Sequence, residues 1–249
     1  MLNRSSVKSN INILGGFEDF YKIPDWLSSG SLSFNERTEA SSKRYLKAVS
    51  ETINQFQSDQ VKRLFLAGIG AKSLSEEAKK RVMALQFTAV DPLFESLFTD
   101  CFIPIMQSGR ATISTRDVIA YVDEKINVAA LNVSWTRETI DTLSRKFLSV
   151  LTKLGFLEGR AKKTLRESYT GSDFLIFFHY WLQAFNETSN TLASRFFPVL
   201  MVSKEKYLFL LKQDAVRTKI DWNYTGDKVN VSTKLTLDEY TYELSDRLR

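Results

Sequence analysis

The stretch from Trp135 to Leu154 limits what this chain can become more than any other. Ile140, Leu143, Phe147, Val150, Leu151 and Leu154 recur at intervals of three and four, which lines one side of an α-helix with apolar groups. That stripe has to be buried, and Gly155 supplies the stop at its C-terminal end. Chains organised around such helices need few turn residues. Here 249 residues include only 10 Gly and 4 Pro, fewer than an all-β chain of this size would use. The expected fold class is mainly α.

Other helices can be read in the same way. Ser33 with Glu36 forms a capping-box pattern, and the helix that follows buries Leu46, Val49, Ile53 and Phe56. Further helices are expected over about 59–69, from the Ser73–Glu76 cap through Ala89, and from Asp91-Pro92, where Pro104 ends or kinks the run. Ser114 with Asp117 opens a helix that buries Val118, Tyr121 and Val122. Helices are also expected at about 172–186, 189–201, 203–214 and 237–248. Between the last two, Ile220, Trp222, Tyr224, Val229 and Val231 follow a period of two around Gly226, which predicts a β-hairpin. Composition shifts divide the chain into an N-terminal arm (1–30), a helical bundle (31–108), a module at 109–172 and a C-terminal helical and hairpin part (173–249).

Within the 109–172 module the order is helix, connection, long helix, Gly, short strand, basic turn, short strand. This is the layout of a winged helix-turn-helix, in which the second helix turns one face to the core and the other to a duplex groove, while the turn reaches a neighbouring phosphate. The outward face carries Thr136, Arg137, Thr142, Arg145, Lys146, Ser149 and Lys153, and the turn carries Arg160, Lys162, Lys163 and Arg166. Thr136 and Arg137 stand at the helix N-terminus, where backbone N–H groups and the helix dipole favour a phosphate. Between Ser134 and Thr170 eight basic residues face four acidic ones, which is most of the chain's net charge of +5. A solvated helix face beside a basic turn is the bland alternative.

Enzymatic chemistry has little to work with. One Cys, Cys101, rules out an internal disulfide and a four-thiolate zinc site. The single His, His179, sits in 174-FLIFFHYWL-182, the setting of a core residue and not of a general base. Gly68-Ile-Gly70 lacks the strand and helix of a phosphate loop and reads as a helix stop, and Asp123-Glu124-Lys125 lacks a partner acid for nuclease chemistry. No metal or cofactor is expected. The longest apolar run, Phe174–Phe185, falls short of the ~20 residues of a membrane helix, and the N-terminal residues lack a signal's apolar core, so a cytoplasmic protein with no membrane contact is expected.

The segments 112-TISTRDVIAYVDEK-125 and 134-SWTRETIDTLSRKFLSVLTKLGFLEG-159 resemble the BrxA family of bacterial BREX phage-defence systems. So do 41-SSKRYLKAV-49 and 85-LQFTAVDPLFESLF-98, and the resemblance covers roughly 30–240. It implies a non-enzymatic protein that binds double-stranded DNA and works beside other BREX proteins, which carry the catalysis. It implies DNA contacts from the helix 135–154 and the hairpin 156–170, with Arg137, Arg145, Lys146, Lys162 and Lys163 foremost, and it adds Lys43 and Arg44 on the basic N-terminal helix. An adaptor role among those proteins, and RNA binding of the antitermination-factor kind, are the alternatives.

Overall fold

The computed structural model describes residues 9–16, 23, 27, 38–160, 162–166 and 170–246. In chain order its helices are α1 (Ile11–Leu14), α2 (Glu39–Glu51), α3 (Asp59–Gly70), α4 (Glu76–Val90), α5 (Pro92–Ser96), a π-helical segment (Leu97–Phe102), α6 (Ile103–Gln107), α7 (Thr115–Asn127), α8 (Arg137–Lys153), α9 (Ser172–Ala184), α10 (Lys204–Leu211), α11 (Asp214–Arg217) and α12 (Leu237–Asp246). The strands are β1 (Thr112–Ile113), β2 (Leu157–Glu158), β3 (Lys163–Leu165), β4 (Ile220–Thr225) and β5 (Lys228–Thr233). The mainly α class expected from the sequence is what is found.

The chain forms two compact units, and these do not follow the linear segments read from composition. Among the described residues, unit 1 gathers 9–16, 23, 38–55 and 87–166, and unit 2 gathers 27, 56–86 and 170–246. The expected 31–108 bundle is therefore shared between them, with the divide falling inside α4.

Unit 1 is built on a ladder of phenylalanines. Phe94, Phe98 and Phe102 come from α5 and the π segment, all fully buried. Phe94 meets Phe147 of α8 at 5.9 Å between ring centroids, and Phe98 meets Phe156 at 5.0 Å. Each such pair adds about 0.5–1.5 kcal/mol beyond the burial itself. Pro104 neither ends nor breaks the run. It has no N–H to give to the carbonyl four residues earlier, and the preceding turn is wound as a π-helix before α6 resumes. Asp91 caps α5 by accepting from the Phe94 N–H at 2.9 Å, and burial raises its carboxyl above the usual range.

In α8 the apolar stripe is buried as its spacing requires: Ile140, Leu143, Phe147, Val150, Leu151 and Leu154 are all inside. Gly155, at φ +80°, ends the helix. Its N–H donates to Thr152 and that of Phe156 to Leu151, the paired bonds of a Schellman stop. The strands that follow fold back: β3 pairs antiparallel with both β2 and β1, giving the order β1-β3-β2.

Unit 2 packs α9 as its apolar centre. Gly68, inside α3, lies so close to Phe177 that an added Cβ would stand 2.4 Å from the ring, so this glycine serves close packing, and the helix runs on to Gly70. Tyr180 stacks on Tyr240 of α12 at 3.7 Å. His179 is buried, bonded through Nε2 to the Tyr207 hydroxyl at 3.1 Å, and desolvation pulls its pKa down to about 3. It is the core residue its neighbours predicted. The expected hairpin forms as β4–β5, turning at Gly226, φ +63°, with Trp222 opposite Val231 and Tyr224 opposite Val229.

Three local expectations are corrected. The 189–201 helix is absent; only two 3₁₀ turns, Thr191–Ala193 and Phe197–Leu200, form there, because Pro198 restricts the residue before it and cannot donate. Ser75, not Ser73, caps α4, with its hydroxyl accepting from Ala78 at 3.2 Å. Tyr224, which its period-of-two spacing with Ile220 and Trp222 makes a core candidate, is 40% exposed. The Ser33–Glu36 capping box lies outside the described residues.

Candidate nucleic-acid interface

Three pieces of unit 1 converge on one groove. The first is the start of α7. Ser114 and Asp117 form the expected capping box, and Arg110 clamps the Asp117 carboxylate with two bonds of 2.8 and 3.1 Å. That clamp holds the Asp117 pKa down to about 2, so the carboxylate is occupied, and Arg116 beside it is exposed, with no ion pair among the described residues.

The second piece is the middle of α8, where Arg145 is 58% exposed and reaches Asp141 one turn back at 2.9 Å. An exposed pair of this kind holds little, about 0.3–0.5 kcal/mol, and is easily given up to a stronger anion.

The third is the β2–β3 turn. Gly159, at φ +87°, makes it tight: a Cβ there would lie 2.3 Å from the Lys162 carbonyl. Lys163 ties the turn by donating to the Gly159 carbonyl at 2.8 Å, and partial burial lowers its pKa. Arg160 and Lys162 are left exposed at the tip.

Between these pieces lies a groove of about 900 Å³. Arg116, Arg145, Arg160, Lys162 and Lys163 line it together with Thr112, Ser114, Thr115 and Ser149, and among the described residues no carboxylate lines it. Five cations and several hydroxyls around one open trough give it a positive, donor-rich lining, the chemistry that suits a polyanion.

The model of the BrxA family matches residues 33–175, more than half of the chain. The chain belongs to the BrxA family. It is thereby a BREX-associated defence protein. No match is found among curated proteins. Among the described residues no helix is long and apolar enough to cross a membrane, and no group of His, Cys, Asp or Glu is arranged to hold a metal ion.

On this BrxA-family scaffold the expected contact residues part company. Arg145, Ser149, Arg160, Lys162 and Lys163 come together at the groove. Thr136 caps α8 by accepting from the Thr139 N–H, and Arg137 is bound to Asp123 at 2.6 Å. Thr142 accepts from Arg145 at 3.2 Å. Arg166 is exposed at the end of β3, its N–H bonded to the Phe156 carbonyl, and it does not line the groove. Lys43 and Arg44 are exposed on α2, Lys43 within 2.7 Å of Glu39, and neither lines the groove.

Lys146 and Lys153 need a correction, because the side of α8 that carries them is covered and does not face outward, and Ser149 sits at the edge between that side and the groove. The segment 9–16 lies along it. Ser149 donates to the Gly15 carbonyl at 2.8 Å, and the Lys153 ammonium donates to the Leu14 and Gly15 carbonyls at 3.3 and 3.1 Å. Gly15 sits so near the α8 backbone that a Cβ would be 2.4 Å from the Lys146 carbonyl, and the Lys146 ammonium stands beside Gly16. Ile11 and Leu14 are fully buried, Ser9 bonds Asp91 at 2.7 Å and Asn10 bonds Thr52 at 2.8 Å. The physical reason is plain: the last carbonyls of a short helix carry partial negative charge and want donors, which these side chains supply.

Sequence reading missed Arg116 and Thr115. The signal was available, since both follow directly on the Ser114 cap, where side chains flank the helix's first N–H groups.

Proposed function

We propose that the chain binds double-stranded DNA through this groove, gripping phosphates, and that it serves BREX defence as a binding component beside partner proteins that perform the chemistry. The order β1-α7-α8-β2-β3, with the sheet arranged β1-β3-β2, is read here as a winged helix-turn-helix, with α8 as the recognition helix and the β2–β3 turn as the wing. The observation that carries the reading is the convergence of five cations from three separate elements on one trough that no carboxylate lines among the described residues. A merely solvated basic helix would not need its partners in the turn and at the α7 start. Sequence preference is expected to be weak, because long cationic side chains dominate the lining and phosphates carry no base identity.

The test is a titration of the full-length protein against a blunt duplex of two helical turns, repeated across salt. With four to five phosphates neutralised, the log–log slope should be about −4, and affinity should drop on the order of 10²-fold between about 50 mM and about 200 mM salt. A flat salt response would sink the proposal.

A further inference from the structure

Unit 2 has its own cationic and aromatic surface, on the hairpin and the helices before it. A pocket of about 390 Å³ is lined by Lys212, Arg217, Ile220, Asp221 and Trp222. That volume is in the range of small-ligand sites, about 300–1,000 Å³. Lys212 and Arg217 are exposed, and among the described residues neither stands within salt-bridge distance of a carboxylate. The one acid at the pocket, Asp221, is held by Lys234 at 3.3 Å. Trp222 is only half-buried, paired across the hairpin with Val231. Two residues on, Tyr224 occupies the same face of β4, 40% exposed, with the Lys204 ammonium 5.2 Å from its ring. Residues so related stand about 7 Å apart along a strand.

From this arrangement we infer that unit 2 takes a single strand of nucleic acid, with an unpaired base stacked on Trp222, its phosphate held by Lys212 and Arg217, and the neighbouring base lying toward Tyr224. Paired bases in a duplex cannot offer their faces to an indole, whereas an unpaired base can, and every base has such a face. Two cations at one side of the aromatic row supply the backbone contact that stacking alone lacks. Duplex binding at the unit 1 groove is a separate reading, and the two can fail independently.

The experiment uses the full-length protein, labelled oligo(dT), oligo(dU) and oligo(U) of equal length, and the blunt duplex. Oligo(dT) or oligo(U) should quench tryptophan fluorescence, and oligo(dU) against oligo(U), which differ only in the sugar, separates DNA from RNA. Trp222→Leu should remove that quenching and weaken single-strand binding roughly 10-fold or more. The exposed pair Lys212→Glu with Arg217→Glu, which leaves the apolar packing alone, should weaken it at least as much, and duplex affinity should stay as in the wild type for both variants. Absence of single-strand binding in the wild type overturns the inference. So does single-strand binding that survives the Lys212 and Arg217 reversal but disappears when Arg116→Glu and Lys162→Glu are introduced in the groove.

Discussion

The two flanks of α8 carry similar residues and do opposite things. Toward the groove, Arg145 is exposed and bonds Asp141 and Thr142, both partly exposed side chains of its own helix. Toward α1, Lys146 and Lys153 are turned onto a segment more than a hundred residues away in the chain, and Lys153 spends its hydrogen bonds on carbonyls. Cations on a helix surface are therefore not interchangeable evidence of a ligand. What separates them is whether the partner is a partly exposed side chain that can be exchanged, as Asp141 is for Arg145, or backbone carbonyls of a docked segment, as for Lys153. A phosphate arriving at the second flank would have to displace a segment anchored by buried Ile11 and Leu14.

The contrast can be broken most forcefully from the groove side. Arg116→Glu with Lys162→Glu reverses two exposed lining cations that take no part in packing, so duplex affinity should fall on the order of 10²-fold, with the salt slope shallower by about 2. The unfolding midpoint should stay put. If affinity holds, the groove is not the duplex site, whatever its charge.

Gly15→Val attacks the other flank. Its side chain would be driven into the Lys146 carbonyl and Cβ, at 2.4 and 2.8 Å from the new Cβ, and a backbone carbonyl cannot rotate out of the way. Denaturant unfolding should show a loss of about 2–3 kcal/mol. A variant as stable as the wild type would mean that the segment is not seated on α8 as described.

Lys153→Met is the milder probe of the same flank and gives the sharper comparison. It keeps the apolar stem but removes the ammonium that caps the Leu14 and Gly15 carbonyls, which should cost about 1 kcal/mol of stability. Duplex affinity and salt slope should be unchanged, the reverse of the groove variants. Loss of affinity without loss of stability in this variant would return Lys153 to the contact surface.

Why one flank was legible in the sequence and the other was not follows from the range of the interactions. The α8 stripe, the Ser114–Asp117 box and the Gly155 stop are set by residues within one or two turns of each other, and each was readable as a pattern. The docking of segment 9–16 leaves no such pattern. Its helix is four residues long, too short for a periodicity, and its partners Ser149 and Lys153 lie far along the chain. The same logic explains the misreading of 189–201, where apolar residues at helical spacing form two 3₁₀ turns around Pro198. It also explains Arg116: its place at a cap was visible, but the trough it lines is made by a strand turn about fifty residues later.

The smallest effect is expected at α2. Lys43 and Arg44 match the family-like basic helix, yet they stand outside the groove, and Lys43 is engaged with Glu39 at 2.7 Å in an exposed i,i+4 pair. Replacing both by Ala removes two positive charges without touching the trough or the packing. Any long-range steering they provide is screened over a Debye length of about 8 Å near physiological salt. Duplex affinity should therefore fall by about twofold at most, and the salt slope should not shift. If the double replacement instead lowers the slope by about 2, both side chains touch phosphate, and the duplex path runs across α2 as well as along the groove.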